Sequence, residues 1–168
     1  MKQRNLWIMS GPPGSGKTTY VKKQIEILKK KNPEAQVFHF SRDEIRFSLL
    51  EEGEDYFAKE DYVKKIFYNS IVMALLTWDN CDIFVDATFL SPKTRLRFIN
   101  KVLSVVKKDV NVNVIAFDVS LDICLTQNAY RTGRSYVPIG ALERMYYSYK
   151  IPTKEEYPYK RILVIKDE

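Results

Sequence analysis

The chain has 168 residues, 45% hydrophobic and 29% charged, with a formal net charge of +6. That length suits one domain with a buried core, and the interspersed apolar and charged residues exclude wholesale disorder. The longest apolar run, Ile71 to Leu76, is far short of a membrane span, and the run at the start is broken too early for a secretory leader, so a cytoplasmic protein with no membrane partner is expected.

In chain order, Leu6 to Met9 reads as a buried strand, after which Val21, Ile25 and Leu28 form the inward stripe of a helix that Asn32-Pro33 ends. Val37 to Phe40 is a second strand, in which His39, the single histidine, is read as structural. Ser41 opens a short helix, with Glu44 three residues on completing a capping box. The acidic segment Glu51 to Asp61, interrupted by Gly53, reads as a solvated connection to a longer helix reaching about Trp78.

Asp82 to Thr88 is the third strand, and Ser91-Pro92 starts another helix, since Ser caps and Pro is tolerated at the first helical position. In that helix Leu96, Ile99, Val102, Leu103 and Val106 face inward, while Lys93, Arg95, Arg97 and Lys101 are placed off the stripe. A strand from Val112 to Val119, helices from Leu121 to about Arg131 and Ile139 to about Lys150, and a strand from Arg161 to Lys166 complete the chain. Tyr146, Tyr147 and Tyr149 are read as packing residues, and the well-separated Cys81 and Cys124 as buried reduced thiols. Strands alternating with helix-sized segments predict an α/β fold: one domain over residues 1–168, a five-stranded parallel sheet with helices on both faces, and a small lid at about 131–138.

Gly11, Gly16, Lys17 and Thr18 satisfy G-x-x-x-x-G-K-[ST] between a strand and a helix, the context a P-loop requires. The glycines let backbone N–H groups turn toward phosphate oxygens, and the following helix directs its positive end to the same place. Gly14, Ser15, Gly16, Lys17, Thr18 and Thr19 are therefore the candidate ATP-binding residues. Lys17 reaches the β and γ phosphates, and Thr18 ligates Mg²⁺. No NKxD-like base-specificity motif follows the fourth strand, which ends FDVSLD, and a motor ATPase would need more chain and a glutamate beside its metal-site aspartate. Phosphoryl transfer to an acceptor is the remaining use of a fold this small.

The acceptor is expected at the carboxyl ends of the strands, where a carboxylate must reach its hydroxyl. Asp43 and Arg46, three apart on one helical face, offer a proton acceptor and a phosphate-gripping guanidinium; equally, they read as a helix start with its ion-pair partner. Asp86 ends an apolar strand at the position of a Mg²⁺-orienting aspartate, and Arg131 and Arg134 flank Gly133 in a segment suited to place charge on the γ phosphate. Residues 85–168 carry 14 Lys+Arg against 9 Asp+Glu, a bias that suits a polyanionic partner.

With GPPGSGKTT, RDEIRFSLL, VDATFLSPKTR and FDVSLDICLTQNAYRTGRSYVPIGALERMY in view, nearly the whole chain resembles the kinase domain of the bacteriophage polynucleotide 5′-kinase family. The resemblance implies Asp43 as general base on a 5′-hydroxyl, Arg46 on the acceptor nucleotide's 3′ phosphate, and Lys17 and Arg131 on the transferring charge. It further implies Thr18 and Asp86 at Mg²⁺, and Arg42 and Val137 along the acceptor channel. Departures are Glu44 after the general base, Asp86-Ala87-Thr88 for Asp-Thr-Asn, and one extra residue between Arg131 and Val137, which allow an altered acceptor pocket. The DxDGT phosphatase signature of some relatives does not occur, so 3′-end repair is not expected. Alternatives are a kinase for a hydroxymethylated base in phage DNA, a nucleotide or other small-molecule kinase including the zeta-toxin type, and a nucleic-acid-binding NTPase without acceptor chemistry. The sequence sets no oligomeric state.

Overall fold

The computed structural model describes residues 2–167. Five strands, β1 (Arg4–Ser10), β2 (Val37–Ser41), β3 (Cys81–Asp86), β4 (Asn111–Asp118) and β5 (Arg161–Lys166), form one sheet in the order β2-β3-β1-β4-β5, every pair parallel. The helices are α1 (Lys17–Lys31), α2 (Arg42–Leu49), α3 (Glu60–Thr77), α4 (Pro92–Val106), α5 (Leu121–Ala129) and α6 (Ile139–Ser148). This is the expected α/β architecture, a five-stranded parallel sheet with helices on both faces.

Strand alternation assigns the two faces. Leu6, Ile8, Ile83, Val85, Val112 and Val114 bury one side under α3 and α4, whose Phe67, Ile71, Leu75, Ile99, Val102 and Val106 belong to the same cluster. On the other side Met9, Phe84, Ile115 and Phe117 pack against Val21 of α1, with Tyr20, Ile25 and Leu28 at the margin. Among the described residues no helix is long and apolar enough to cross a membrane. Cys81 and Cys124 are buried free thiols, as expected.

Helix ends follow their caps. Ser91 Oγ accepts from Thr94 N, with Pro92 in the first turn of α4, and Ser41 Oγ accepts from Glu44 N at α2. Three boundaries fall two residues short of expectation: β3 stops at Asp86, α5 at Ala129 and α6 at Ser148.

Arg95 corrects the reading of α4. It is fully buried, not off the stripe. Its guanidinium holds Glu156 through Nε at 2.8 Å and Nη2 at 2.7 Å, and donates to the carbonyls of Phe89 and Lys150. A long aliphatic stem lets a charged residue sit on an apolar face when its head group is fully paired. Phe89 has φ 44°, a left-handed conformation costly for a bulky residue. Its carbonyl accepts from both Arg95 and Ser10 Oγ, which ties the chain after β3 to the end of β1.

Candidate active site

The chain leaving β1 crosses toward β2 on one side of the sheet, while that leaving β3 crosses toward β4 on the other. At the carboxyl ends of these strands lies a cavity of about 790 Å³, walled by the P-loop and the start of α1, α2, residues 54–57, Asp86–Thr88 and the 130–138 segment.

The P-loop forms its floor. Gly11 N donates to Thr88 O at 2.9 Å, anchoring the loop to the end of β3. Gly14 at φ 79° and Gly16 at φ 96° adopt the left-handed turn only glycine accepts without strain, and a Cβ on Gly14 would stand 2.5 Å from the carbonyl oxygen of Cys124. Gly16 caps α1 with no side-chain hydrogen bond and no acidic residue follows in the first turn, so the orphan N–H groups of a 15-residue helix face the cavity. The Ser15 hydroxyl is buried without a partner. Uncapped donors, an orphaned hydroxyl and a buried cation fit a polyphosphate; Gly14, Gly16, Lys17, Thr18 and Thr19 line the cavity, with Ser15 buried between them.

Lys17 Nζ donates to the carbonyls of Gly11 and Pro12, both at 2.9 Å. Burial lowers its pKa to about 8, against the upward pull of Asp86; the charge on Arg131 lowers it further. An arriving anion would restore its full charge.

Asp86, 6% exposed, ends β3 beside the P-loop. Its Oδ2 accepts from Thr18 Oγ1 at 2.8 Å and lies 2.9 Å from His39 Nε2. Burial works against the ionised form, yet the hydrogen bonds from His39 and Thr18 and the charge on Lys17 outweigh it and hold the carboxyl below the usual range. One ionised carboxylate and one hydroxyl fit Mg²⁺, which favours few protein ligands and fills its octahedron from water and phosphate. His39, read from the sequence as structural, hydrogen-bonds the Asp86 that lines the cavity. Alternation puts Val37, His39 and Ser41 on one face of β2, but the adjacency of β2 and β3 that brings His39 to Asp86 is not written in the local pattern.

Asp43, at the start of α2, is half exposed on the opposite wall. Its Oδ1 accepts from Tyr56 O–H at 2.6 Å and from Arg46 Nη1. Arg46 is only 3% exposed; it also donates to Tyr56 Oη at 2.6 Å and to Glu60 Oε2 at 2.5 Å. Asp43 lines the cavity, as the first reading has it, whereas Arg46 takes the place of the second: its buried guanidinium is engaged by the carboxylates of Asp43 and Glu60, not free to grip a phosphate. Burial and the Asp43 hydrogen bond raise the Tyr56 phenol pKa. The Glu51–Asp61 segment, expected as a solvated connection, instead turns Tyr56 and Glu60 inward; its acidic composition hid two residues that complete the cluster. Arg42 lies over the Phe67 ring at 5.0 Å, and burial lowers its pKa.

The 131–138 segment contains one 3-10 turn, Gly133–Ser135, and Asn128 pins its base by exchanging two hydrogen bonds with the Val137 backbone at 2.7 and 3.0 Å. Arg131 and Val137 line the cavity. Arg134 lines the cavity as well, and its Nη1 donates to the carbonyls of Glu51 and Glu54 at 3.0 and 2.8 Å, fastening this segment to the one that carries Tyr56. Tyr146 and Tyr149 are held by backbone carbonyls of Val119 and Ser10, the packing role expected of them.

Known proteins place this geometry. A candidate kinase from Chloroflexus aurantiacus has a similar structure, with TM-score 0.72, 15% identity, and coverage of 99% of this chain and 86% of that one. Kti12 from Chaetomium thermophilum, solved with ADP-AlF3, gives 0.68 at 11% identity over 96% and 88%. A fungal RNA kinase gives 0.64 at 14% over all of this chain but 40% of that longer one. At such identities the likeness carries the fold alone. Residues 6–152 match the AAA domain family AAA_33, and the chain belongs to that family as a P-loop kinase-like domain.

Proposed function

We propose that this protein is one kinase domain, with residues 131–138 as its lid, that transfers the γ phosphate of ATP to a 5′-hydroxyl end of DNA or RNA. The observation that carries the reading is Asp43: a carboxylate fixed by Tyr56 and Arg46 and opening onto the same cavity as the P-loop. An NTPase without an acceptor has no use for a second carboxylate fixed across the cavity from its phosphate site. The choice of a nucleic-acid acceptor is supported by the sequence resemblance and by the cations Arg42 and Arg131 on the cavity wall; a fungal RNA kinase shares the fold.

Asp43 takes the proton of the acceptor hydroxyl as its oxygen bonds to the γ phosphorus, and the bond to the β,γ-bridging oxygen breaks to release ADP. Lys17 and the α1 N-terminus hold the phosphates, and Arg131 offsets charge on the transferring group. Thr18 and Asp86 would hold Mg²⁺, which when bound neutralises phosphate charge. Arg42 and Val137 line the acceptor's path.

The test is transfer of labelled γ phosphate to matched oligonucleotides with free or blocked 5′ ends, with Asp43→Ala as control. Label confined to free ends, and lost in the variant while ATP still binds, is expected. Label on blocked strands or on small molecules alone would refute the acceptor assignment, and loss of ATP binding in Asp43→Ala would refute the role of the base.

A further inference from the structure

His39 lies in the middle of β2, and the parallel register sets Ser41 opposite Asp86 and His39 opposite Phe84. Residues two apart share a face of a strand, so His39 stands one diagonal step from Asp86 on the side of the sheet covered by α1. The side chains are 10% and 6% exposed, and Nε2 reaches Oδ2 at 2.9 Å. The same oxygen accepts from Thr18 Oγ1 at 2.8 Å. A carboxylate at the end of a strand turns about two side-chain torsions, and a single hydrogen bond leaves it a pivot. Two donors from different elements, α1 and β2, remove that freedom.

We propose that His39 is a positioning residue for the Mg²⁺–nucleotide site, orienting Asp86 through the hydrogen bond from Nε2 to Oδ2. The inference rests on the kinase reading of the P-loop, though not on the identity of the acceptor. Thr18 cannot be the separable anchor, because it is itself a candidate ligand; His39 is outside the cavity lining and meets the site through Asp86. The strand that carries it runs on directly to Ser41, Arg42 and Asp43, so β2 sets both the carboxylate at the phosphates and the carboxylate at the acceptor hydroxyl. Hydrogen-bond partners that orient a ligand in this way are worth about tenfold or more in metal affinity.

The experiment is calorimetric titration of ATP into the full chain without acceptor, across a series of free Mg²⁺ concentrations and in excess chelator, for the wild type, His39→Leu, His39→Asn and His39→Gln, with thermal unfolding of each. Glutamine carries an amide nitrogen at about the reach of the imidazole Nε2, whereas asparagine is too short and leucine cannot donate. ATP affinity in chelator is expected to be the same in all four. The free Mg²⁺ giving half of the gain in affinity should rise about tenfold in His39→Leu and His39→Asn and stay near wild type in His39→Gln.

A purely structural histidine would lower the unfolding temperature and leave the Mg²⁺ midpoint unmoved, and that result overturns the proposal. So does a glutamine variant that folds yet shifts as far as asparagine, or an equal loss of ATP affinity with and without Mg²⁺, which would mean a distorted cradle. If His39→Leu does not fold, the asparagine and glutamine pair decides alone. A wild type that binds ATP but is indifferent to Mg²⁺ would instead remove the metal site beneath the proposal, and a wild type that binds no ATP would remove the kinase reading itself.

Discussion

The depressed pKa of Lys17 makes nucleotide binding a proton-linked event. In the free protein burial holds the ammonium near a pKa of about 8, so its charge is half lost at a pH where an ordinary lysine is fully protonated. Phosphates at the cradle favour the charged form, so above pH 8 binding must take up a proton. If only the protonated form binds, the apparent dissociation constant rises roughly 25-fold between pH 7.5 and 9.5, about 2 kcal/mol, with about 0.9 proton taken up at pH 9. Calorimetry of ATP binding in buffers of differing ionisation heat reads both quantities, and Lys17→Met should bind weakly with a flat profile. The opposite sign applies to folding without nucleotide. The unfolded chain holds the lysine proton from about pH 8 to 10.5, so the folded state gains as pH rises through that window, by about 3 kcal/mol if Lys17 titrated alone. An affinity constant in pH, with no proton uptake, would refute the reasoning and mean that the loop carbonyls keep Lys17 charged despite its burial.

Tyr56→Phe removes one donor to Asp43 and one acceptor for Arg46 while keeping the ring packed on Phe57; kcat should fall about tenfold with KM for ATP unchanged, measured by steady-state kinetics. Arg95→Leu strands Glu156 in the interior and should destabilise the protein by about 3 to 5 kcal/mol in urea unfolding, whereas a loss under 1 kcal/mol would mean that water reaches the carboxylate.

The parts of the molecule with a local physical signature were legible in the sequence. The P-loop announces itself because each of its residues has one job at one spacing, and the strands because apolar runs of that length between turn residues have few other uses. Serine at 41 and 91 marked two helix starts that the structure caps as expected. What escaped depends on pairing across the chain. His39 and Asp86 are 47 residues apart and meet only because β2 lies beside β3. Arg95 breaks the amphipathic rule for α4 since its partner, Glu156, comes from 61 residues further on. Tyr56 and Glu60 sat in a segment whose acidity reads as solvation, and nothing local says that a buried arginine draws two of its residues inward. Arg134 lines the cavity with the rest of its segment, but the two backbone carbonyls that hold its Nη1 have no sequence signature.

Arg46 shows how burial changes a role that spacing suggests. A free guanidinium attracts phosphate, but this one is 3% exposed and bonded to the carboxylates of both Asp43 and Glu60. With those groups ionised the cluster carries a net charge of −1, which repels a phosphate and suits the loss of a proton from a hydroxyl. The attraction for the proposed anionic acceptor then falls to the cavity-lining cations that make no ion pair among the described residues, Arg42, Arg131 and Arg134, with Lys17 in the phosphate cradle. Removing Arg46 leaves Glu60 unpaired and takes one of the two groups that orient Asp43. Arg46→Ala should therefore lower kcat by about tenfold or more and raise the KM for an oligonucleotide only slightly, while Arg42→Ala should do the reverse. A rise in acceptor KM at unchanged kcat in Arg46→Ala would show that the acceptor displaces a carboxylate from the guanidinium, and the buried cluster would then be a resting arrangement that opens on binding.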